Sequence, residues 1–206
     1  VYISNPTEVG TIYSKAELTA LSETCHKYGL YLFLDGARLG YGLAAPDNDL
    51  TLPEIAALCD VFYIGGTKVG ALFGEAVVIK NPELAQDFRY LIKQNGGMLA
   101  KGRLLGLQFD ALFTDGLYQE ISAHAIAMAE KLREAFTAKG YNYLAPNRTN
   151  QIFVIVPDAH LAKISEQFEY SYDQRIDATH SCVRFCTSWA TKEENVDALI
   201  RCVEKL

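Results

Sequence analysis

The chain has 206 residues, enough for one large domain or two small ones. Half of it is hydrophobic and 21% is charged, which excludes disorder and predicts a sizeable core. The net charge is −6 with no Lys/Arg cluster, so neither nucleic acid nor an anionic membrane is an expected partner.

Val1 opens a strand-like Val-Tyr-Ile-Ser run without a preceding Met, and an N-terminal portion is expected to be missing. No signal peptide is visible, and no apolar stretch approaches the roughly 20 residues that span a bilayer. Ser14-Lys-Ala-Glu17 is a capping-box pattern, so a helix is predicted from there, with Leu18, Leu21, Cys25 and Tyr28 on one face and Gly29 as its stop. Thr51-Leu-Pro-Glu54 predicts a second, shorter helix over Ile55, Leu58 and Cys59. Between these lie Val1–Ser4, Tyr31–Leu34 and Val61–Ile64, short apolar runs of the kind buried on both faces of a parallel sheet. Ala71–Ile79 reads as a further strand, and Asn81-Pro82 as a helix cap.

The Gly- and Lys-rich stretch Lys93–Gly106 reads as a functional loop leading into a helix. A long helix is predicted from Leu117 to Lys139, with the stripe Tyr118, Ile121, Ala125, Met128, Leu132 and Phe136, ended by Gly140. Tyr141–Leu144, Gln151–Val156 and Cys182–Thr187 read as strands, the last two alternating and half-exposed. Thr191-Lys-Glu-Glu194 predicts the cap of a final helix with Val196, Leu199, Ile200 and Val203 inward. The alternation of β and α over the first ninety or so residues predicts an α/β layer with a parallel sheet. The expected division is residues 1–95 for that layer, 96–118 for a connection, and 119–206 for a small α+β unit.

The five cysteines, Cys25, Cys59, Cys182, Cys186 and Cys202, sit in apolar surroundings and match no disulfide scaffold. Reduced, buried thiols and a cytoplasmic location are expected. No metal site is expected, because no His or Cys lies at zinc-ligand spacing. None of His26, His124, His160 and His180 pairs with a nucleophile, and His26 and His124 read as surface residues of helices.

Two strand ends carry chemistry. Tyr31-Leu-Phe-Leu-Asp35-Gly-Ala-Arg38 closes an apolar run on an acid, and Val61-Phe-Tyr-Ile-Gly-Gly-Thr67-Lys68 closes one on an amine. A carboxylate at the C-terminal end of a buried strand stands where open α/β sheets bind ligands. Alone, Asp35-Gly36 also suits a simple turn, Lys68 a surface turn, and Arg38 either a partner of Asp35, a ligand contact or a surface charge. Glycines around Lys68 allow close approach of a flat ligand. A lysine at the end of an apolar strand is expected to be partly desolvated and nucleophilic, able to condense with an aldehyde.

Together, Asp-Gly-Ala-Arg, about thirty residues, and then Gly-Gly-Thr-Lys resemble the fold-type I enzymes that use pyridoxal 5'-phosphate (PLP). The chain most resembles the low-specificity L-threonine aldolase group of the β-eliminating lyase family. Tyr2-Ile-Ser-Asn-Pro-Thr7 and Val183-Arg184-Phe-Cys-Thr-Ser-Trp189 extend that resemblance over nearly the whole chain. It implies the C-terminal part of a PLP-binding large α/β domain followed by a small α+β domain. It implies Lys68 as the lysine attached to PLP, Asp35 on the pyridine nitrogen, and Arg38 and Thr67 beside the cofactor. Asn5 and Thr7 are implied near the cofactor or substrate. Arg184 is implied as the clamp on the substrate α-carboxylate, which suits a planar guanidinium.

The implied activity is cleavage of β-hydroxy-α-amino acids to glycine and an aldehyde. An aminotransferase or a β-eliminating lyase on the same scaffold, or a non-catalytic fragment, is the alternative. The family's phosphate-cradling and ring-stacking residues are expected upstream of Val1. Its Met-Arg-Gln segment appears as Gly96-Gly97-Met98-Leu-Ala-Lys101-Gly-Arg103, with the basic residue displaced. Lys101 or Arg103 is expected to replace it at a contact between subunits of a homodimer or homotetramer.

Overall fold

The computed structural model describes residues 1–206. A first lobe runs through β1 (Tyr2–Ser4), α1 (Lys15–Lys27), β2 (Phe33–Asp35), α2 (Leu39–Leu43), α3 (Leu52–Leu58), β3 (Val61–Gly65) and β4 (Glu75–Ile79). Helices α4 (Phe88–Gln94) and α5 (Arg103–Phe113) follow, and then α6 (Leu117–Ala138). A second lobe contains β5 (Asn142–Tyr143), β6 (Gln151–Pro157), α7 (Asp158–Ile164), β7 (Ser171–Arg175), β8 (His180–Cys186) and α8 (Glu193–Glu204).

The first sheet has the order β1-β2-β3-β4, with the first three strands parallel and β4 antiparallel to β3. The parallel strands are what place Asp35 and Gly65 at one edge of that sheet. The second sheet, β5-β6-β8-β7, is antiparallel throughout. Each sheet has its own hydrophobic cluster, one built on Leu18, Leu34, Tyr41, Ile55 and Phe62, the other on Leu132, Phe136, Val154, Val183 and Leu199. Helix α6 serves both: Tyr118, Ala125 and Ile126 enter the first cluster, Met128 to Phe136 the second. The boundary between the cores therefore runs through the middle of one helix.

Local chemistry explains where several helices begin. Ser14 and Glu17 cap α1 reciprocally, and Thr51 and Glu54 do the same for α3, as the sequence predicts. Gly29 (φ +66°) adopts the left-handed conformation that stops α1, although Tyr28 points to solvent instead of into the core.

Other expectations are corrected. Only Glu75–Ile79 of the run from Ala71 is a strand, because Gly70 and Gly74 have positive φ and shape a turn before it. Asn81 caps no helix; its Oδ1 accepts from the Glu83 amide in a turn, and α4 begins only at Phe88. Thr191 does not cap α8 either, since its Oγ1 accepts from the Ser188 amide; Glu193 and Glu194 in the first turn favour that helix end instead. Strand β6 is buried along Gln151–Val154, because α6, α7 and α8 cover one face and the first lobe approaches the other. Conversely, the parallel strands are not buried on both faces: Tyr2 is 62% exposed, and Phe33, Val61 and Tyr63 are half-buried on the same face.

All five cysteines are free; Cys186 is exposed and Cys202 half-buried rather than buried. His26 is exposed and lies 3.2 Å from Asp60, whereas His124 is half-buried and its Nε2 sits 2.8 Å from the Thr191 carbonyl, pinning α6 to the loop before α8. No helix is long and apolar enough to cross a membrane, and no group of three or more His, Cys, Asp or Glu is placed to hold a metal ion.

Candidate active site

The C-terminal edge of the parallel strands gathers the polar groups. Strand β2 ends at Asp35, whose Oδ1 accepts from the Ala37 amide at 3.0 Å and so makes the turn into α2. Its Oδ2 accepts from the Tyr2 hydroxyl, and the Tyr63 hydroxyl on the same face of the sheet stands close enough to act on the carboxylate. Half-burial by itself would raise the pKa of Asp35. The hydroxyls of Tyr2 and Tyr63, the Ala37 N–H and the charge of Lys68 outweigh it and hold the carboxyl below the usual range. Asp35 is thus an ionised group at neutral pH, aligned by the Tyr2 hydroxyl and the Ala37 amide.

Strand β3 ends at Gly65-Gly66. A Cβ on Gly65 would lie 2.2 Å from the Ala37 carbonyl oxygen, so only glycine lets the two strand ends come this close. The turn beyond is fixed by the Gly66 amide donating to Glu75 Oε2 at 2.5 Å and by the Gly74 amide donating to Thr67 Oγ1 at 3.0 Å. Thr67 is therefore engaged in shaping the turn that presents Lys68. Lys68 itself is exposed, not desolvated as expected, because it lies beyond the strand and outside the sheet's packing.

The second lobe contributes Arg184 on β8. Its Nη1 donates to Gln151 Oε1 at 3.3 Å, and its guanidinium lies over the Phe153 ring, 5.9 Å from the centroid. Arg184 is half-buried and shares a strand face with Cys182 and Cys186, as alternation predicts. Cys186 marks where the lobes meet. Desolvation at the lobe junction raises its thiol pKa although the residue keeps an open surface, while Arg38, Arg184 and Lys68 all act on it in the opposite direction. Those three cations thus converge on one region, and none of them has a carboxylate within 4.0 Å. An arrangement of this kind attracts an anionic ligand.

Asn5 and Thr7 lie on the segment after β1. Asn5 is buried; its amide donates to the Asp35 carbonyl at 2.9 Å and its Oδ1 accepts from the Tyr13 amide at 3.2 Å. Thr7 Oγ1 accepts from the Thr11 amide and meets Thr11 Oγ1 at 2.6 Å. Both side chains hold the segment's own turn. Lys101 and Arg103 are exposed, just before and at the start of α5, the helix whose Leu105, Gln108 and Phe109 meet the Gly66–Gly74 turn.

Sequence reasoning missed Tyr2, Tyr63, Tyr41 and Gln151. Alternation was the available signal for Tyr63: residues 61, 63 and 65 share the face that holds Asp35. Nothing local marks Tyr41, which is completely buried and links Lys68 to the second lobe through its hydroxyl.

An ionised carboxylate facing a lysine on the neighbouring strand end is a donor set that fits a pyridine cofactor bearing an aldehyde. The carboxylate can hold a protonated ring nitrogen, and the amine can take the aldehyde.

Comparison with known proteins agrees with that fit. The model of the β-eliminating lyase family matches residues 1–159. A low-specificity L-threonine aldolase of Pseudomonas sp. is 34% identical over 203 residues, 97% of this chain and 57% of that protein. One of Pseudomonas aeruginosa is 32% identical over 202 residues, covering 98% of this chain and 58% of that protein. The chain thus spans under three fifths of the length of these curated relatives. A solved structure of Leishmania major threonine aldolase superposes with a TM-score of 0.97 at 45% identity, over all of this chain and 60% of that one. Thermus thermophilus aspartate aminotransferase, 17% identical with a TM-score of 0.69 over all of this chain and 56% of that one, shares the fold. The architecture is that of fold-type I PLP-dependent enzymes, present in part, and the chain belongs to the β-eliminating lyase family.

Proposed function

We propose that this chain is the C-terminal portion of a PLP-dependent carbon–carbon lyase that cleaves β-hydroxy-α-amino acids, threonine among them, to glycine and an aldehyde. The observation that carries it is ionised Asp35 at the end of β2 with Lys68, just beyond the end of β3, near enough for its charge to lower the Asp35 pKa, beside the unneutralised Arg38 and Arg184. The low-specificity threonine aldolases that match 97% and 98% of this chain support the choice of reaction within the fold.

When bound, PLP supplies an electron sink for the pair left on Cα as the Cα–Cβ bond breaks. The residues of this chain do the rest. Lys68 would hold the cofactor's aldehyde carbon through its amine. Asp35 keeps a proton on the pyridine nitrogen, and the hydroxyls of Tyr2 and Tyr63 keep the carboxylate ionised. Arg184 receives the α-carboxylate through a planar fork, with Arg38 adding charge from the first lobe. Thr67 holds the lysine's turn, and Asn5 and Thr7 hold the segment that borders the site.

The same protein is proposed to act as a homo-oligomer. Leu72, Tyr90, Leu91, Leu99, Leu104 and Leu107 are all exposed within one stretch of sequence, which favours an apolar contact there. A second copy is the proposed occupant. Light scattering should return at least a dimer, and an active monomer would contradict it.

The direct test of the activity is a substrate screen on the PLP-loaded protein. Release of glycine and acetaldehyde from threonine or allo-threonine is expected. Transamination or β-elimination without glycine would overturn the assignment.

A further inference from the structure

Tyr41 stands on α2, three residues after Arg38, and its side chain is completely buried. Its hydroxyl donates to the Lys68 backbone carbonyl at 2.5 Å and accepts from the Trp189 amide at 3.3 Å. No backbone amide bonds the Lys68 carbonyl: Val69 N and Ala71 N both go to the Gly66 carbonyl, and Thr67 N goes to the Gly74 carbonyl. The Trp189 amide likewise has no backbone acceptor. One hydroxyl therefore serves two otherwise orphaned backbone groups, one in each lobe.

The surroundings make this a rigid joint. Burial pushes the Tyr41 phenol up to about 12, so it remains a neutral donor across the working pH range. On the second lobe, Trp189 lies in a turn closed by the Ser188 amide donating to Thr191 Oγ1 and by the Thr191 amide donating to the Ser188 carbonyl. Thr187 Oγ1 ties the same turn to the Ala125 carbonyl of α6. The turn follows directly on β8, which carries Arg184.

We propose that Tyr41 is a positioning residue that fixes the base of Lys68 and locks it to the Ser188–Trp189 turn, holding the lysine and the Arg184 guanidinium in one register across the two lobes. The inference rests on the reading that Lys68 is the reacting lysine. It adds a residue whose effect is exerted through the Lys68 carbonyl, without contact to substrate or cofactor.

The test is Tyr41→Phe, which keeps the ring and its packing and removes only the bridge. In the apo protein, amide exchange at Trp189 should accelerate roughly tenfold, because that N–H loses its protein acceptor. In the PLP-loaded protein, kcat should fall about tenfold with KM for threonine held within roughly twofold, since the loss is in the reacting lysine rather than in carboxylate binding. The pH dependence of the cofactor absorption band should shift with it. Thermal unfolding measured on the same variant separates positioning from packing. A lowered melting temperature with kcat and the absorption profile unchanged would overturn the proposal, as would unchanged exchange at Trp189. Borohydride labelling of the parent protein is the control on the underlying reading. A label on another lysine overturns the role of Lys68, whereas the exchange result reports on the bridge itself.

Discussion

The two sheets of this molecule use their strand ends differently. In the first, parallel strands stop together at one edge, and the edge carries Asp35, Lys68 and Arg38 with few partners among themselves. In the second, antiparallel strands close a full hydrophobic cluster, and its charges pair at the surface, as Arg175 does with Asp158. Parallel strands leave all their C-terminal ends on one side, so backbone polarity and functional groups accumulate there. An antiparallel sheet distributes its ends on both sides and invests its residues in packing. Arg184 is the exception that joins the two, a half-buried cation on the well-packed sheet whose only polar side-chain partner is a neutral amide.

Substitutions should separate the two behaviours, and the largest effect is expected at Lys68. Lys68 is exposed and contributes little packing, so Lys68→Ala should abolish turnover and leave the melting temperature within a few degrees of the parent. A collapse of stability on this substitution would mean that the edge is structural after all. Asp35→Asn should follow. A neutral amide cannot keep a ring nitrogen protonated, and disrupting a charge pair at such a site costs roughly 3–5 kcal/mol, or a factor of 10² or more in kcat. Near-parental kinetics would reduce Asp35 to a turn residue. Phe136→Ala is the counterpart in the second lobe. Phe136 is fully buried against Tyr141 and Phe185, so its truncation should cost about 3–5 kcal/mol of stability by chemical denaturation. A loss under 1 kcal/mol would show that the second cluster is not the packed unit described.

Much of this was legible in the sequence where the cause is local. The capping boxes at Ser14 and Thr51, the span of α6 and the strand ends at Asp35 and Gly65 follow from neighbouring residues alone. What failed depended on the far side of a sheet. Phe33 and Tyr63 are apolar or aromatic and read as buried, yet their face is partly open; Gln151 is polar and read as half-exposed, yet the first lobe covers it. The exposure of Lys68 was missed for a related reason, because an apolar run says nothing about the residue that leaves it. Tyr41 was invisible because its two partners lie 27 and 148 residues away.

A smaller effect is expected at the junction of the two behaviours. Arg184→Lys retains the charge and loses the fork, so glycine binding, followed by spectral titration, should weaken about tenfold while PLP remains bound. Unchanged glycine affinity would return Arg184 to an ordinary strand residue.

The smallest expected effect is an acid response common to both lobes. Glu54 is held down to about 2 by Lys15 and Thr51, and Asp177 to about 2 by the Thr179 amide and His180. Both pKa values are depressed by folding. The stabilisation they give is therefore complete above the ordinary carboxylate range near ~4 and is lost as pH falls through about 2. Circular dichroism at graded pH should show the loss concentrated between those limits. A transition already complete at pH 5 would contradict this assignment.

Whether Lys68 is the reacting group at the first sheet's open edge decides between these two uses of strand ends. Borohydride reduction of the PLP-loaded protein, followed by peptide mapping, tests it most directly. A single cofactor label is expected on Lys68, in the peptide that contains Gly65-Gly66-Thr67. A label on any other lysine, or none at all in a protein that turns over threonine, would contradict it.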